Sequence, residues 1–141
     1  MLDTVRALGI GFVAYSPLGR GFLTARIINL DELPKNDWRR RMPRFEGENF
    51  RRNLELVEKI RAYSADKGCT PAQLALAWVL ARGDDIVPIP GTKRRQHLEE
   101  NVGALDVRLT PEELTELDGL LPPGAAAGAR YPEPGMRAIN Q

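Results

Sequence analysis

Apolar residues recur along this chain in two rhythms. Ile10-Gly11-Phe12-Val13-Ala14-Tyr15 and Asp85-Ile86-Val87-Pro88-Ile89 are short, nearly continuous apolar runs, the signature of buried parallel strands. Elsewhere the period is helical. Leu2, Val5 and Leu8 repeat at spacing three before Gly9, as in the last turns of a helix. From Asn49 to Lys67, Leu56, Ile60 and Tyr63 form a stripe with Leu54 and Val57 beside it, and Gly68 terminates it. Thr70-Pro71-Ala72-Gln73 places Thr at an N-cap, Pro at N1 and Gln at N3. The helix this opens, through Arg82, is apolar nearly all round and is expected to pack between a sheet and other helices.

Thr92 is the expected N-cap of a further helix over Lys93–Gly103, with Leu98, Val102 and Leu105 as its buried stripe. Thr110-Pro111-Glu112-Glu113 is a second capping box, opening a helix through Leu121. The expected order is a strand at 10–15, a loop at 16–48, helices at 49–82 and a strand at 85–89. The helices at 93–103 and 110–121 follow, then an irregular tail at 122–141 lying over the surface or a pocket. Strand, helices, parallel strand and helix is the α/β pattern. Opening on a helix end just ahead of a strand suggests entry into the middle of a βα repeat.

Composition narrows the class. The 141 residues are 43% apolar and 28% charged, as in a folded globular protein. A formal net charge of +1 gives no global field for nucleic acid or a membrane, and no apolar run reaches the ~18 residues of a membrane span. The single cysteine, Cys69, excludes an intrachain disulfide framework, suits the cytoplasm and reads as a structural thiol. No metal-ligand cluster is evident.

Two loops carry candidate chemistry. Ser16-Pro17-Leu18-Gly19-Arg20-Gly21 follows the first strand directly, where α/β enzymes place their sites. Pro17 stops strand pairing, and the glycines let backbone approach a ligand. After the second strand, Pro90-Gly91 turns the chain toward Thr92, Lys93 and Arg94 at a helix N-terminus, a physically sensible phosphate site. Lys93, His97 and Asn101 lie four apart on one face, with Arg94 and Glu100 beside it. Phosphate first and a hydrogen-bonding heterocycle further along would suit an adenosine phosphate. The same spacing also suits a solvated charged face. Within the 16–48 loop, Trp38, Met42 and Phe45 are packing groups or pocket lining, and Arg44 is the best candidate for an inward cation.

Taken together, Tyr15-Ser16-Pro17-Leu18-Gly19-Arg20-Gly21-Phe22-Leu23-Thr24 and Ile89-Pro90-Gly91-Thr92-Lys93-Arg94 with Glu100-Asn101 resemble the aldo-keto reductase family. The segment Thr70–Trp78 and the tail Ala125–Pro132 are similar to it as well. The resemblance implies a (β/α)8 barrel that reduces aldehydes and ketones with NADPH, and it maps onto the last two barrel strands. A barrel takes ~250 residues, so the fold class expected is the C-terminal part of a TIM barrel, about two parallel strands plus helices. By resemblance, Ser16, Pro17, Leu18, Gly19 and Arg20 wrap the cofactor pyrophosphate, and Arg26 adds a basic contact there. Arg44 is grouped with the cofactor residues. Gly91, Thr92, Lys93 and Arg94 hold the adenosine 2′-phosphate, and His97, Glu100 and Asn101 contact phosphate or adenine. His97 stands where Arg, Gln or Tyr is commoner, and Ala25 where glycine usually precedes the basic residue.

The family's Asp-Tyr-Lys-His tetrad belongs to earlier barrel strands, so no residue here is assigned as catalytic. The resemblance thus implies the NADP(H)-binding portion of a carbonyl reductase, acting on a carbonyl substrate in a full-length context and inactive alone. The alternatives are a non-catalytic product that binds nucleotide or a partner, and a gene fragment.

Overall fold

The computed structural model describes residues 1–139. Helix α1 spans Leu2–Ala7 and strand β1 spans Phe12–Tyr15. Helices α2 (Gly47–Asp66) and α3 (Pro71–Leu80) lead to strand β2 (Ile86–Ile89). Helices α4 (Arg95–Val102), α5 (Pro111–Leu120) and α6 (Glu133–Arg137) follow. The two strands pair in parallel, with Phe12 opposite Ile86 and Tyr15 opposite Ile89. Arg6 closes the entry to the sheet, its Nε donating to Asp85 Oδ2 at 3.0 Å.

Sequence chemistry accounts for the helix starts. Thr70 and Thr110 each accept from the N3 backbone N–H, while the Gln73 and Glu113 side chains accept from the cap N–H groups. Helix α3 ends at Leu80, two residues before the expected Arg82, where Ala81 and Arg82 turn the chain toward Gly83 at φ 146°. On α2 the buried stripe is Phe50, Asn53, Val57, Ile60 and Ser64. Leu56 and Tyr63, expected on that stripe, are half-buried along its margin.

Two clusters form the core. Ile60, Leu74 and Leu117 join α2, α3 and α5. Phe22, Ile27, Phe45, Phe50 and Val57 join the long loop to α2. Phe22 meets Phe45 and Phe50 edge-on, at ring-centroid distances of 4.9 and 5.5 Å. The loop at 16–48 is therefore a chain of short 3₁₀ turns anchored by aromatic burial. Cys69 is half-buried, and burial pushes its thiol pKa up.

Several expectations need correction. The sheet is covered on one face only, where α3 packs against β2 on the side of Ile86, while Val13, Tyr15, Val87 and Ile89 are exposed on the other. The stripe Leu98, Val102 and Leu105 is exposed too, because no element among the described residues packs over it. The helix expected over 93–103 begins at Arg95, and Lys93 and Arg94 precede it. Thr92 does not cap it. Its hydroxyl instead accepts from Arg94 N–H at 3.3 Å, a local turn that holds Arg94 extended and delays the helix. Past Val102 the helix tightens into a 3₁₀ turn over Gly103–Asp106. The tail is not wholly irregular, since Pro132 caps α6 and an Arg137–Glu133 pair one turn apart supports it.

Candidate functional site

Parallel pairing sends both candidate loops out of the same sheet end. Tyr15 and Ile89 are register partners, so Ser16 and Pro90 leave side by side. The first loop is backbone-strained. Ser16, Arg20 and Ala25, at φ 55°, 62° and 55°, are the non-glycine residues with positive φ among the described residues, and all lie in this loop. Such conformations cost of the order of 1–3 kcal/mol each and persist only where surroundings over-determine them. Here the surroundings are Phe22, buried between Arg20 and Ala25, Ile27, buried just after them, and Arg39, whose Nη1 donates to Arg20 O at 3.2 Å. Arg39 is itself fixed by Asp37, with Nη2 2.7 Å from Oδ2, and this holds the Asp37 carboxyl below its ordinary pKa.

Arg26 joins the two motifs. Its Nη2 donates to Glu100 Oε2 at 2.7 Å, and its Nη1 lies 2.7 and 2.9 Å from the ring nitrogens of His97, whichever is unprotonated accepting. Gln73 supports α4 from below, its Nε2 donating to Glu100 O at 3.1 Å. Gly91, Thr92, Lys93 and Arg94 stand exposed beside this cluster in sequence, and no side chain caps the N-terminus of α4. Asn101 is half-buried on α4. Open N–H groups next to two cations fit a phosphate.

The remaining candidates gather elsewhere. Ser16, Gly19, Arg20 and Arg44 line a cavity of about 310 Å³ between the first loop, α2 and the tail. Pro17 lines a smaller apolar cavity beside Trp78 and Leu117. Leu18 supports the turn through its carbonyl, which accepts from Gly21 N–H at 2.9 Å. Arg20 does not extend toward α4: its guanidinium lies 5.5 Å from the Trp38 ring and 4.8 Å from the Tyr131 ring, and donates to Arg130 O at 2.7 Å. Arg44 Nε donates to Gly128 O at 3.3 Å; burial, then Arg130 and Arg20, push its pKa down.

Sequence reasoning missed Asn53, Arg130 and Tyr131. Asn53 is buried, donating to Arg44 O at 3.0 Å and Ala127 O at 2.9 Å and accepting from Ala127 N–H at 2.7 Å. An amide between Phe50 and Val57 on an apolar stripe is the signal that could have found it.

The profile of the aldo/keto reductase family matches residues 1–122. The chain belongs to the aldo/keto reductase family. It is 49% identical over 132 residues to the NADP(+) aldo-keto reductase yakc of Schizosaccharomyces pombe, covering 94% of this chain and 39% of that protein. It also superposes on the glycerol dehydrogenase AKR11B4 of Gluconobacter oxydans with a TM-score of 0.72 at 25% identity, over 86% of this chain and 37% of that one. The chain thus spans about two fifths of the length of these aldo/keto reductase relatives. Its fold is a small open α/β piece, two parallel strands with helices, matching part of a barrel enzyme. No helix among the described residues is long and apolar enough to cross a membrane, and no metal-binding cluster occurs among them.

Proposed function

We propose that this chain is the cofactor-gripping, C-terminal portion of an NADPH-dependent carbonyl reductase. The observation that carries the reading is the Arg26–Glu100 clasp, which binds the strained loop after β1 to the helix after β2. Both motifs that resemble cofactor-binding segments are thereby held at one end of the sheet. Lys93, Arg94 and the uncapped N–H groups of α4 would hold the 2′-phosphate; Ser16 to Gly19 would wrap the pyrophosphate. Bound NADPH supplies the hydride for carbonyl reduction. The chain's own part is to bind and orient; the group that protonates the carbonyl oxygen would come from the rest of a full-length reductase.

Fluorescence titration tests this. Lys93→Ala and Arg94→Ala each remove a charge-assisted contact worth about 1.5–3 kcal/mol, so each weakens NADPH binding by roughly tenfold or more. NADH lacks the phosphate and is nearly indifferent. Equal weakening of both cofactors would return this segment to a solvated charged face.

A further inference from the structure

The cavity between the first loop, α2 and the tail is rich in positive charge. Three arginines, Arg20, Arg44 and Arg130, line it, and no acidic residue does. Among the described residues none of the three makes an ion pair, although ion pairs hold arginines elsewhere, as in Arg26–Glu100 and Arg39–Asp37. Their hydrogen bonds go to carbonyls: Arg20 to Arg130 O, Arg44 to Gly128 O. Like charges thus line one recess with no carboxylate among its residues, and the coulombic push of Arg130 and Arg20 on Arg44 is part of what lowers the Arg44 pKa, after burial. Such an arrangement is stabilised by a ligand that carries the missing charge.

The remaining wall identifies the ligand's chemistry. Phe22, Leu23, Phe45, Leu56, Val57 and Leu121 make most of it apolar. A bare phosphate would leave that surface wet, whereas a carboxylate on a short carbon chain satisfies guanidinium and hydrocarbon together. About 310 Å³ suits a small organic acid. Arg20 belongs to the loop after β1, where Arg39 holds its carbonyl, and Asn53 holds the tail against α2.

We propose that the Arg20–Arg44–Arg130 recess is a carboxylate subsite that selects organic acids bearing the carbonyl to be reduced. The carbonyl half rests on the reductase reading; the carboxylate half does not.

The test is equilibrium dialysis of radiolabelled succinate against the full chain, a readout indifferent to self-association. Expected is retention that unlabelled succinate displaces and uncharged succinamide does not. Arg130→Met should weaken retention about tenfold, and Arg130→Lys should restore part of it. Arg130 is exposed, so its replacement leaves folding intact, and NADPH affinity of the same variant should be unchanged. No retention, equal displacement by succinamide, or retention unaffected by Arg130→Met would each overturn the proposal. So would displacement of succinate by inorganic pyrophosphate in step with NADPH, since the recess would then belong to the cofactor. Succinate retention without any NADPH binding would instead sink the reductase reading and leave the carboxylate subsite standing.

Discussion

Arg26 and Glu100, 74 positions apart in sequence, meet at 2.7 Å, and with the Arg26–His97 contact this ion pair couples the first loop to α4. The Arg26 side chain is 49% exposed and that of Glu100 16%, so the pair is a partly screened one. Its coupling energy should lie near the upper end of exposed pairs, about 1 kcal/mol. Arg26→Met and Glu100→Gln should each weaken NADPH binding several-fold, and the double variant by little more than either single. A double-mutant cycle in NADPH affinity checks this; full additivity would show that the contact carries no coupling.

Docking of the tail depends on Gly128. Its φ of 86° suits glycine, and a Cβ there would lie 2.8 Å from Pro43 O. Gly128→Ala should therefore cost about 1–3 kcal/mol and free the tail from Arg44 and Asn53. Faster tryptic cleavage after Arg130, with far-UV circular dichroism unchanged, is the expected outcome. Unchanged cleavage would place the tail's anchorage elsewhere.

Acid should loosen the first loop through Asp37. The hydrogen bond from Arg39 depresses the Asp37 pKa below its ordinary 3.8, so the folded state binds this proton less readily than the unfolded one. The contribution is complete above the ordinary carboxylate range and lost as pH falls through the lowered folded pKa. Melting temperature measured from pH 6 to pH 2 should fall at the acid end, and Asp37→Asn should flatten that fall. An unchanged acid slope in the variant would remove Asp37 from the titration.

The open face of the sheet should drive association. Val13 is 59% exposed and Val87 56%, side by side across the strands. A contiguous apolar face of this kind with unpaired strand edges is an association site. Sedimentation should show concentration-dependent oligomers that bind a hydrophobic dye, and Val87→Lys should reduce both. A dye-silent monomer with a sharp melt would contradict it.

Purified chain should not reduce aldehydes with NADPH. The recess offers three arginines and the Tyr15 and Ser16 hydroxyls, with no lysine or carboxylate in its lining to pair with Tyr15 as a proton donor, and the His97 imidazole is already engaged by Arg26. Turnover above that of a buffer blank, with contaminating reductases excluded, would overturn this.

Local signals made much of this legible. The capping boxes at Thr70 and Thr110 are local chemistry, and both hold as written. So does the parallel pairing implied by two apolar runs separated by helices. The rest depends on which of several local partners a group takes and on residues far away in the chain. Thr92 looks like a cap until the Arg94 backbone takes its hydroxyl, and Leu98 looks buried until the absence of a packed neighbour among the described residues is seen. Arg20 and Arg26 share one loop, yet a left-handed turn sends the first to the tail and the second to α4. The loop's composition did not separate them.

The register that sets Tyr15 against Ile89 makes ligand affinity and sheet integrity one measurement. A strand pair only four residues long is marginal by itself. A molecule bridging Ser16 and Arg94 would pin both strand ends at once, and binding free energy would return as resistance to strand opening. The free energy of opening read from amide hydrogen exchange at Phe12–Tyr15 should therefore rise with the logarithm of NADPH concentration once saturation is passed. The two strands would then act as a built-in gauge of occupancy at a site several residues beyond them.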